Sequence, residues 1–301
     1  MKRISQKIYI GAMMAAAIFA LSSAAVPAQA SPAQQIIVAK SGGDYTTISA
    51  ALAAITPTAS TPYVIDVMPG VYVESVYLKS YVHLRGGGRD VTVIQAPSTG
   101  YYVMRAYSVG GVTISGFTIK GGYAGIYNYS STLVVENNTI RENGFGINNN
   151  NTAFSIIRNN VIEYNTNDGI TNYQASPMIE DNIIYRNTYN GIYNAYSYQS
   201  GSASFYGLIK GNKIILNGRS GIVTWLGSSP SIIGNTLSRN DIGINVSVNG
   251  TTLSTSPIIE HNEITQSWTT DIYVYSGYPY IYFNVVESIT GTGGRRAYNI
   301  L

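Results

Sequence analysis

Cysteine is absent from this chain of 301 residues, and charged residues make up only 11% of it. The lack of cysteine excludes disulfide bonds, a lipid anchor attached through cysteine, and a thiol for catalysis or metal binding. An exported form of the chain must therefore be stabilised by its packed core alone. We predict no cofactor and no bound metal ion.

Net charge is also nearly absent once the N-terminus is set aside. Three of the 18 basic residues lie within the first seven positions, so the remainder carries 15 basic and 15 acidic residues. This balance gives no support for binding to nucleic acid or to an anionic membrane. The polar surface is instead uncharged and rich in tyrosine, with 26 tyrosines in the chain, which suits hydroxyl-rich partners such as glycans.

Long apolar runs are missing beyond residue 30. Before that point, a basic start precedes an apolar run at residues 8–21, and the small residues Ala28 and Ala30 frame a cleavage site. This order is typical of a secretory signal peptide cleaved after Ala30, whereas the alternative, a membrane anchor, needs a longer run. We therefore predict that the mature chain is secreted or periplasmic and has no membrane span.

What the chain has in abundance is a repeat of asparagine, glycine and isoleucine. The pattern [IV]-x-x-N-x-[IVL] recurs in steps of 22, 22, 30, 23, 27 and 22 residues, at Asn138, Asn160, Asn182, Asn212, Asn235, Asn262 and Asn284. Gly-Ile pairs recur in phase with it, at Gly125, Gly146, Gly169, Gly191, Gly221 and Gly243. A fixed period of this size predicts one supersecondary unit stacked many times, which is a solenoid.

The apolar runs within each repeat are short and bounded by Asn and Gly, which predicts short strands joined by tight turns. About three such strands in each coil fit an all-β parallel β-helix. In residues 45–55, Ile48, Leu52 and Ile55 lie at helical spacing and predict a short capping helix. The predicted segments are a signal peptide at 1–30, a cap with irregular coils at 31–111, regular repeats at 112–290 and a C-terminal tail at 291–301.

Equivalent residues of successive coils lie about 4.8 Å apart in such a fold, so each repeat position predicts a column. The asparagines are expected to hydrogen-bond along the stack and the isoleucines to fill the core. One column alternates in charge, which favours ion pairs between coils: Glu136, Arg158, Glu180 and Lys210. The outward positions after the inward isoleucines hold seven aromatic residues expected on one sheet face: Tyr127, Tyr129, Tyr173, Tyr193, Trp225, Tyr273 and Tyr275.

The repeats at 112–288 resemble the right-handed parallel β-helix proteins of the pectin-lyase-like superfamily, including NosD-type repeats, and this implies a right-handed coil. The N-terminal stretch is similar to pectin methylesterases in four strings: Val38-Ala39-Lys40, Gly43-Asp44-Tyr45-Thr46-Thr47-Ile48, Pro69-Gly70-Val71-Tyr72-Val73-Glu74 and Leu84-Arg85-Gly86. The Q-A-V-A-L, Q-D-T and D-F-I-F-G strings that carry catalysis in pectin methylesterases do not follow. The resemblance thus implies shared architecture without the catalytic residues.

Three functions are compatible with these features. The first is binding of an extended polysaccharide or cell-surface glycan, because exposed rings offer flat apolar faces to sugars; stacking that only stabilises the sheet is the alternative interpretation. The second is a polysaccharide lyase, hydrolase or esterase with a diverged site, using carboxylates such as Asp168, Glu180 and Asp181. The third is a structural or adhesion protein that self-associates through its C-terminal end. Glu260, His261 and Glu263 could hold a metal ion weakly, and the alternative interpretation is a solvated polar face.

Overall fold

The computed structural model describes residues 33–151, 153–195, 207–247, 255–297 and 299–300. The predicted signal peptide and its cleavage site lie outside these residues. The chain winds through three parallel β-sheets, and successive coils add a strand to each sheet in turn. This is the predicted all-β, right-handed parallel β-helix with a short N-terminal helix.

The first sheet contains 12 strands within the described residues. They are Gln34–Val38, Tyr63–Val67, Val82–Gly86, Val112–Ser115, Thr132–Glu136, Phe154–Arg158, Met178–Glu180, Leu208–Lys210, Ser231–Ile233, Ile258–Glu260, Tyr280–Tyr282 and Arg295–Ala297. Apolar and polar residues alternate along these strands, so Val135, Ile157 and Ile179 point inward and are fully buried. In the alternating charge column on the outer side, Glu136 and Arg158 form an ion pair at 2.7 Å.

The second and third sheets complete each coil. The second sheet contains Gly70–Val73, Thr92–Gln95, Thr118–Lys120, Thr139–Arg141, Val161–Glu163, Ile183–Tyr185, Lys213–Ile215, Thr236–Ser238, Glu263–Thr265 and Val285–Val286. The third contains Val76–Tyr77, Met104–Tyr107, Ala124–Tyr129, Phe145–Asn150, Ile170–Tyr173, Ile192–Ala195, Ser220–Trp225, Ile242–Ser247, Thr270–Val274 and Ile289–Gly291. Isoleucines of successive coils are in register and buried, as Ile140 with Ile162 and Ile147 with Ile170.

The turn between the first and second sheets explains the position of the ladder asparagines. The residue before each of them has a positive φ, such as 56° at Asn159, because the chain reverses sharply there. The buried Asn160 side chain accepts a hydrogen bond from the backbone N of Asn138 at 3.0 Å. Its Nδ2 donates to the Val135 carbonyl at 2.8 Å and to Asn182 Oδ1 at 3.0 Å. The asparagine ladder is therefore structural, as predicted.

Two further asparagine columns are also buried. The second column lies in the turn between the second and third sheets, and its amides hydrogen-bond from coil to coil: Asn143, Asn165, Asn187, Asn217 and Asn240. The third column points inward from the third sheet: Asn128, Asn149, Asn172 and Asn194. Each buried amide thus finds partners in the neighbouring coils, which removes the penalty for burying it.

The glycine of each Gly-Ile pair is required by the close approach of the next coil. A Cβ added at Gly146 would lie within 3.0 Å of the Gly169 carbonyl, the Ile162 side chain and the Asn165 side chain. Because Gly146 does not have a positive φ, this requirement is steric and is not imposed by a turn. The same contacts recur down the column at Gly125, Gly169, Gly191 and Gly221.

A seven-residue helix, α1 (Ile48–Ala54), covers the N-terminal end of the stack, as predicted. The Thr47 side chain caps its first turn. The Glu74 carboxylate accepts hydrogen bonds from the backbone N of Ile48 at 3.0 Å and of Ser49 at 2.8 Å, so it satisfies two further donors of that turn. The described part of the chain contains no helix with the length and apolar character needed to cross a bilayer.

The residues after Gly291, expected from the sequence to form a tail, instead continue the solenoid. Arg295–Ala297 pairs with Tyr280–Tyr282 in the first sheet. Asn299 Oδ1 then accepts hydrogen bonds from Asn284 as a further rung of the ladder. The repeat pattern does not reveal this coil, because two arginines stand where β-branched residues mark the other strands.

Candidate functional site

All seven aromatic residues selected from the sequence lie on the outer side of the third sheet. In the strand Ala124–Tyr129, Ile126 and Asn128 are buried, whereas Tyr127 and Tyr129 point outward. The outward residues differ in exposure. Tyr129, Tyr173 and Tyr275 are exposed, and Tyr127, Tyr193, Trp225 and Tyr273 are half-buried.

These aromatic residues form three groups along the face, separated by polar residues. The N-terminal group contains Tyr127 and Tyr129, the middle group Tyr173, Tyr193 and Trp225, and the C-terminal group Tyr273 and Tyr275. In the column that contains Tyr127 and Tyr193, Asn148 and Thr171 lie between them. Two ring pairs form in the middle and C-terminal groups, with centroids 6.2 Å and 6.4 Å apart: Tyr193 with Trp225, and Tyr273 with Tyr275. A ligand that follows the solenoid axis would therefore meet rings and polar groups in turn.

The N-terminal group is larger than the sequence indicated. We call it the tyrosine–arginine patch, and its members are Tyr77, Tyr102, Arg105, Tyr107, Tyr123, Tyr127 and Tyr129. The repeat pattern does not reveal the first five of these, because the Gly-Ile phase begins at Gly125 and the preceding coil has Met104 in the isoleucine position. The available signal was the alternation of Arg105 and Tyr107 around the buried Ala106.

Rings in the tyrosine–arginine patch are in direct contact. The ring centroid of Tyr102 lies 4.5 Å from that of Tyr127 and 5.6 Å from that of Tyr123. Tyr107 lies 5.6 Å from Tyr127 and 6.1 Å from Tyr129. Burial, followed by neighbouring tyrosines, raises the pKa of both Tyr102 and Tyr127. These hydroxyls therefore stay protonated at neutral pH and act as uncharged donors and acceptors.

Arg105 supplies the positive charge of the tyrosine–arginine patch. Its Nη1 donates to Tyr77 Oη at 2.6 Å. Its Cζ lies 4.9 Å from the ring centroid of Tyr77 and 5.0 Å from that of Tyr102, within the range of cation–π attraction. Its Nε is buried and has no hydrogen-bond partner in the part of the chain that the structure describes. The guanidinium thus satisfies only part of its hydrogen-bonding capacity within the protein.

Asp168 lies beside the same face, where the chain enters the third sheet. Its carboxylate accepts hydrogen bonds from the backbone N and Nδ2 of Asn190, at 3.0 and 2.9 Å, and from Thr171 Oγ1 at 3.0 Å. Burial raises the pKa of Asp168, and these donors and the Arg219 guanidinium oppose the rise. Arg219 itself lies 4.4 Å over the ring of Tyr189. Asp168 is therefore a single shielded carboxylate next to the middle aromatic group.

The other carboxylates selected from the sequence do not join Asp168. Glu180 ends a strand of the first sheet, and Asp181 lies in the following turn with a φ of 54°. Paired-carboxylate chemistry on sugars needs two carboxyl groups on either side of one bond, and these residues lie on a different side of the coil.

The sequence also placed Glu260, His261 and Glu263 together, but the fold separates them. Glu260 belongs to the first sheet and Glu263 to the second. The His261 ring lies between them in the turn and stacks on Phe283, with centroids 5.3 Å apart. Within the described residues, no three His, Asp or Glu side chains are arranged to hold a metal ion.

Residues 74–290 match the family described as periplasmic copper-binding protein (NosD), which accounts for most of the chain. The chain belongs to this family. The resemblance to NosD-type repeats is thereby confirmed, and so is the similarity of one segment to pectin methylesterases. A segment of 69 residues is 41% identical to a pectinesterase of Aspergillus aculeatus and 39% identical to one of Aspergillus niger. The chain spans about a fifth of the length of these curated relatives, 21% in both cases.

Solved structures share the fold at low sequence identity. The A-module of mannuronan C-5 epimerase AlgE6 from Azotobacter vinelandii matches with a TM-score of 0.67 and 20% identity, over 79% of this chain and 70% of that one. An alginate lyase from Paenibacillus sp. strain FPU-7 matches with a TM-score of 0.64 and 14% identity, over 89% of this chain and 99% of that one. At these identities the similarity establishes the β-helix and no more.

The donor set of this chain does not fit the copper named in the family description. Copper is held in proteins by cysteine, methionine and histidine, and the chain has no cysteine, two histidines and six methionines, three of them within the first 14 residues. Of the other three, Met104 is buried in the core, and Met68 and Met178 lie in or next to strands of the first sheet other than those that carry the histidines. His83 and His261 belong to coils seven strand spacings apart in the first sheet, or about 33 Å. A single ion cannot contact both side chains.

Proposed function

We propose that this protein is exported and binds an extended polysaccharide along the outer face of the third sheet. The observation that carries the proposal is the concentration of outward rings on this one face, with protonated hydroxyls beside them. Aromatic rings pack against the apolar faces of sugars, and their hydroxyls bond to the sugar hydroxyls. The polysaccharide-acting enzymes among the structural neighbours support a carbohydrate ligand, and the periplasmic description of the family supports export.

The face suits a long ligand better than a small one. Its outward side chains recur at each coil, about 4.8 Å apart, and strands from Val76–Tyr77 to Ile289–Gly291 follow one another in the sheet. A small-molecule site is usually an enclosed cleft, whereas this surface is an open, repeating array. A polymer whose residues repeat along its length can make the same contact several times.

Binding to a panel of immobilised polysaccharides tests the proposal. The variant with Tyr129→Ala, Tyr173→Ala and Trp225→Ala removes one ring from the first group and two from the middle group. Each ring contact contributes on the order of 1 kcal/mol, so the triple variant is expected to bind at least tenfold more weakly. The matched control changes three aromatic residues away from the third sheet to alanine: Tyr185 in the second sheet, Tyr280 in the first, and Tyr164 in the turn after Val161–Glu163. Unchanged binding in the first variant, or an equal loss in both, would refute the proposal.

A second candidate function is a polysaccharide lyase, hydrolase or esterase with Asp168 as an acid or base. The observation that favours it is the shielded carboxylate of Asp168, whose raised pKa suits proton transfer, beside the middle aromatic group. Wild type and Asp168→Asn would be incubated with uronate polymers, with and without calcium. Product release by the wild type that is lost in Asp168→Asn supports this function. A panel without products in either case leaves the binding function as the better explanation.

A further inference from the structure

The cation in the tyrosine–arginine patch distinguishes it from the other two aromatic groups. Its residues come from three successive strands of the third sheet and the segments that precede them, so the patch extends over about 10 Å of the solenoid axis. The middle and C-terminal groups contain the ring pairs Tyr193–Trp225 and Tyr273–Tyr275 without an arginine in the same outward columns. This patch therefore offers a charge in addition to aromatic surface.

Among the described residues Arg105 has no acidic partner, unlike three other arginines. Arg85 pairs with an aspartate, and Arg141 and Arg158 pair with glutamates. No ion pair forms to Arg105 in the part of the chain that the structure describes. The charge of Arg105 is thus not compensated by an ion pair among the described residues.

The hydrogen bonds of Arg105 also leave capacity for a ligand. A guanidinium has five N–H donors in one plane. One Nη1 donor bonds to Tyr77 and the Nε donor is buried, so within the described residues the remaining Nη donors are the ones left for a ligand. The rings of Tyr77 and Tyr102 hold the planar group in place, which lowers the entropy lost when an acceptor binds. A planar carboxylate matches this donor geometry better than any uncharged sugar group.

We infer that the tyrosine–arginine patch binds a uronate residue of an acidic polysaccharide, with the sugar ring on the tyrosines and the carboxylate on Arg105. This inference rests on the proposed polysaccharide-binding function and narrows its ligand to polymers that carry carboxylates. Arg105 is then the residue that determines specificity, whereas the middle and C-terminal groups contact the same chain through uncharged surface.

The test measures the affinity of the purified mature chain for polygalacturonate, for its fully methyl-esterified form and for dextran sulfate. The variant Arg105→Gln removes the charge, and Arg105→Lys keeps the charge but loses the planar donor pair. The control is Arg186→Gln, because Arg186 also lies among tyrosines: its Nη1 donates to Tyr164 Oη at 3.0 Å, away from the third-sheet face. Circular dichroism and the unfolding temperature verify that each variant is folded.

We expect wild type to bind polygalacturonate at least tenfold more tightly than the methyl ester, because hydrogen bonds between a guanidinium and a carboxylate are stronger than those to an uncharged ester; tenfold corresponds to about 1.4 kcal/mol. Arg105→Gln should remove this difference, Arg105→Lys should restore it in part, and Arg186→Gln should leave it intact. Equal binding of both polymers by wild type, or unchanged discrimination in Arg105→Gln, would overturn the inference and leave polysaccharide binding standing. Tighter binding of dextran sulfate, equally lost in Arg105→Gln, would overturn the carboxylate assignment. Binding to none of the polymers would overturn the inference and the proposed function together.

Discussion

Replacement of one ladder asparagine should destabilise this protein far more than replacement of an asparagine on the outer surface. Asn160 is 1% exposed, and its side chain accepts from Asn138 N and donates to the carbonyls of Val135 and Arg158. In Asn160→Ala, these three backbone groups lose a partner inside a buried turn. Each buried group left unsatisfied costs about 1–3 kcal/mol, so we expect the free energy of unfolding to fall by about 3–5 kcal/mol.

Urea unfolding followed by circular dichroism measures this loss. The matched control is Asn150→Ala, an asparagine on the outer face of the third sheet whose Nδ2 donates only to Asn148 Oδ1 within the described residues. Because its partners are replaced by water, we expect a loss of no more than about 0.5 kcal/mol. A loss below 1 kcal/mol in Asn160→Ala, or equal losses in the two variants, would show that the ladder is not a main source of stability. An altered dependence on urea concentration would show that the solenoid unfolds in parts.

Three further predictions concern stability and metal binding. Gly146→Ala forces a Cβ against the next coil and should lower the free energy of unfolding in urea by about 3 kcal/mol. Gly110→Ala should leave it nearly unchanged, because no atom lies within 4 Å of the added Cβ. Similar losses in the two variants would refute the steric explanation. The hydrogen bond from Arg85 holds the pKa of Asp66 below its ordinary value, so the ionised carboxylate stabilises the fold above about pH 4. Asp66→Asn should therefore be less stable than wild type by about 1 kcal/mol at pH 7, since Arg85 is largely exposed. This gap should shrink as the pH falls through the lowered pKa, and a gap that widens in acid would contradict the argument. Isothermal titration of the mature chain with copper ions should show no site with a dissociation constant below about 1 μM, which corresponds to a binding free energy of about −8 kcal/mol. Tight stoichiometric binding would contradict the conclusion that the side chains present do not fit copper.

The repeat allowed much of the fold to be predicted from the sequence. The period of about 22 residues gives the length of one coil, and the alternation beside Ile126 shows which side chains face inward, because neighbours in a strand point to opposite sides. The helix at Ile48–Ala54 was predictable from its spacing and from the Thr47 cap. The coil at Arg295–Ala297 was not, since its pairing depends on the strand beneath it and its own residues carry no strand signal.

The candidate site shows where this kind of prediction ends. Alternation alone assigns Tyr127 and Tyr129 to the outer face, and it assigns the other aromatic residues in phase with the repeat to the same face. Only the tertiary structure brings Tyr77 and Arg105 together with Tyr127, because these contacts are made between coils and between segments outside the regular phase. The sequence therefore determined the solenoid, its buried columns and the direction of the side chains that are in phase with the repeat. The tertiary structure decided which outward side chains meet, because that depends on distances between coils that no single repeat contains.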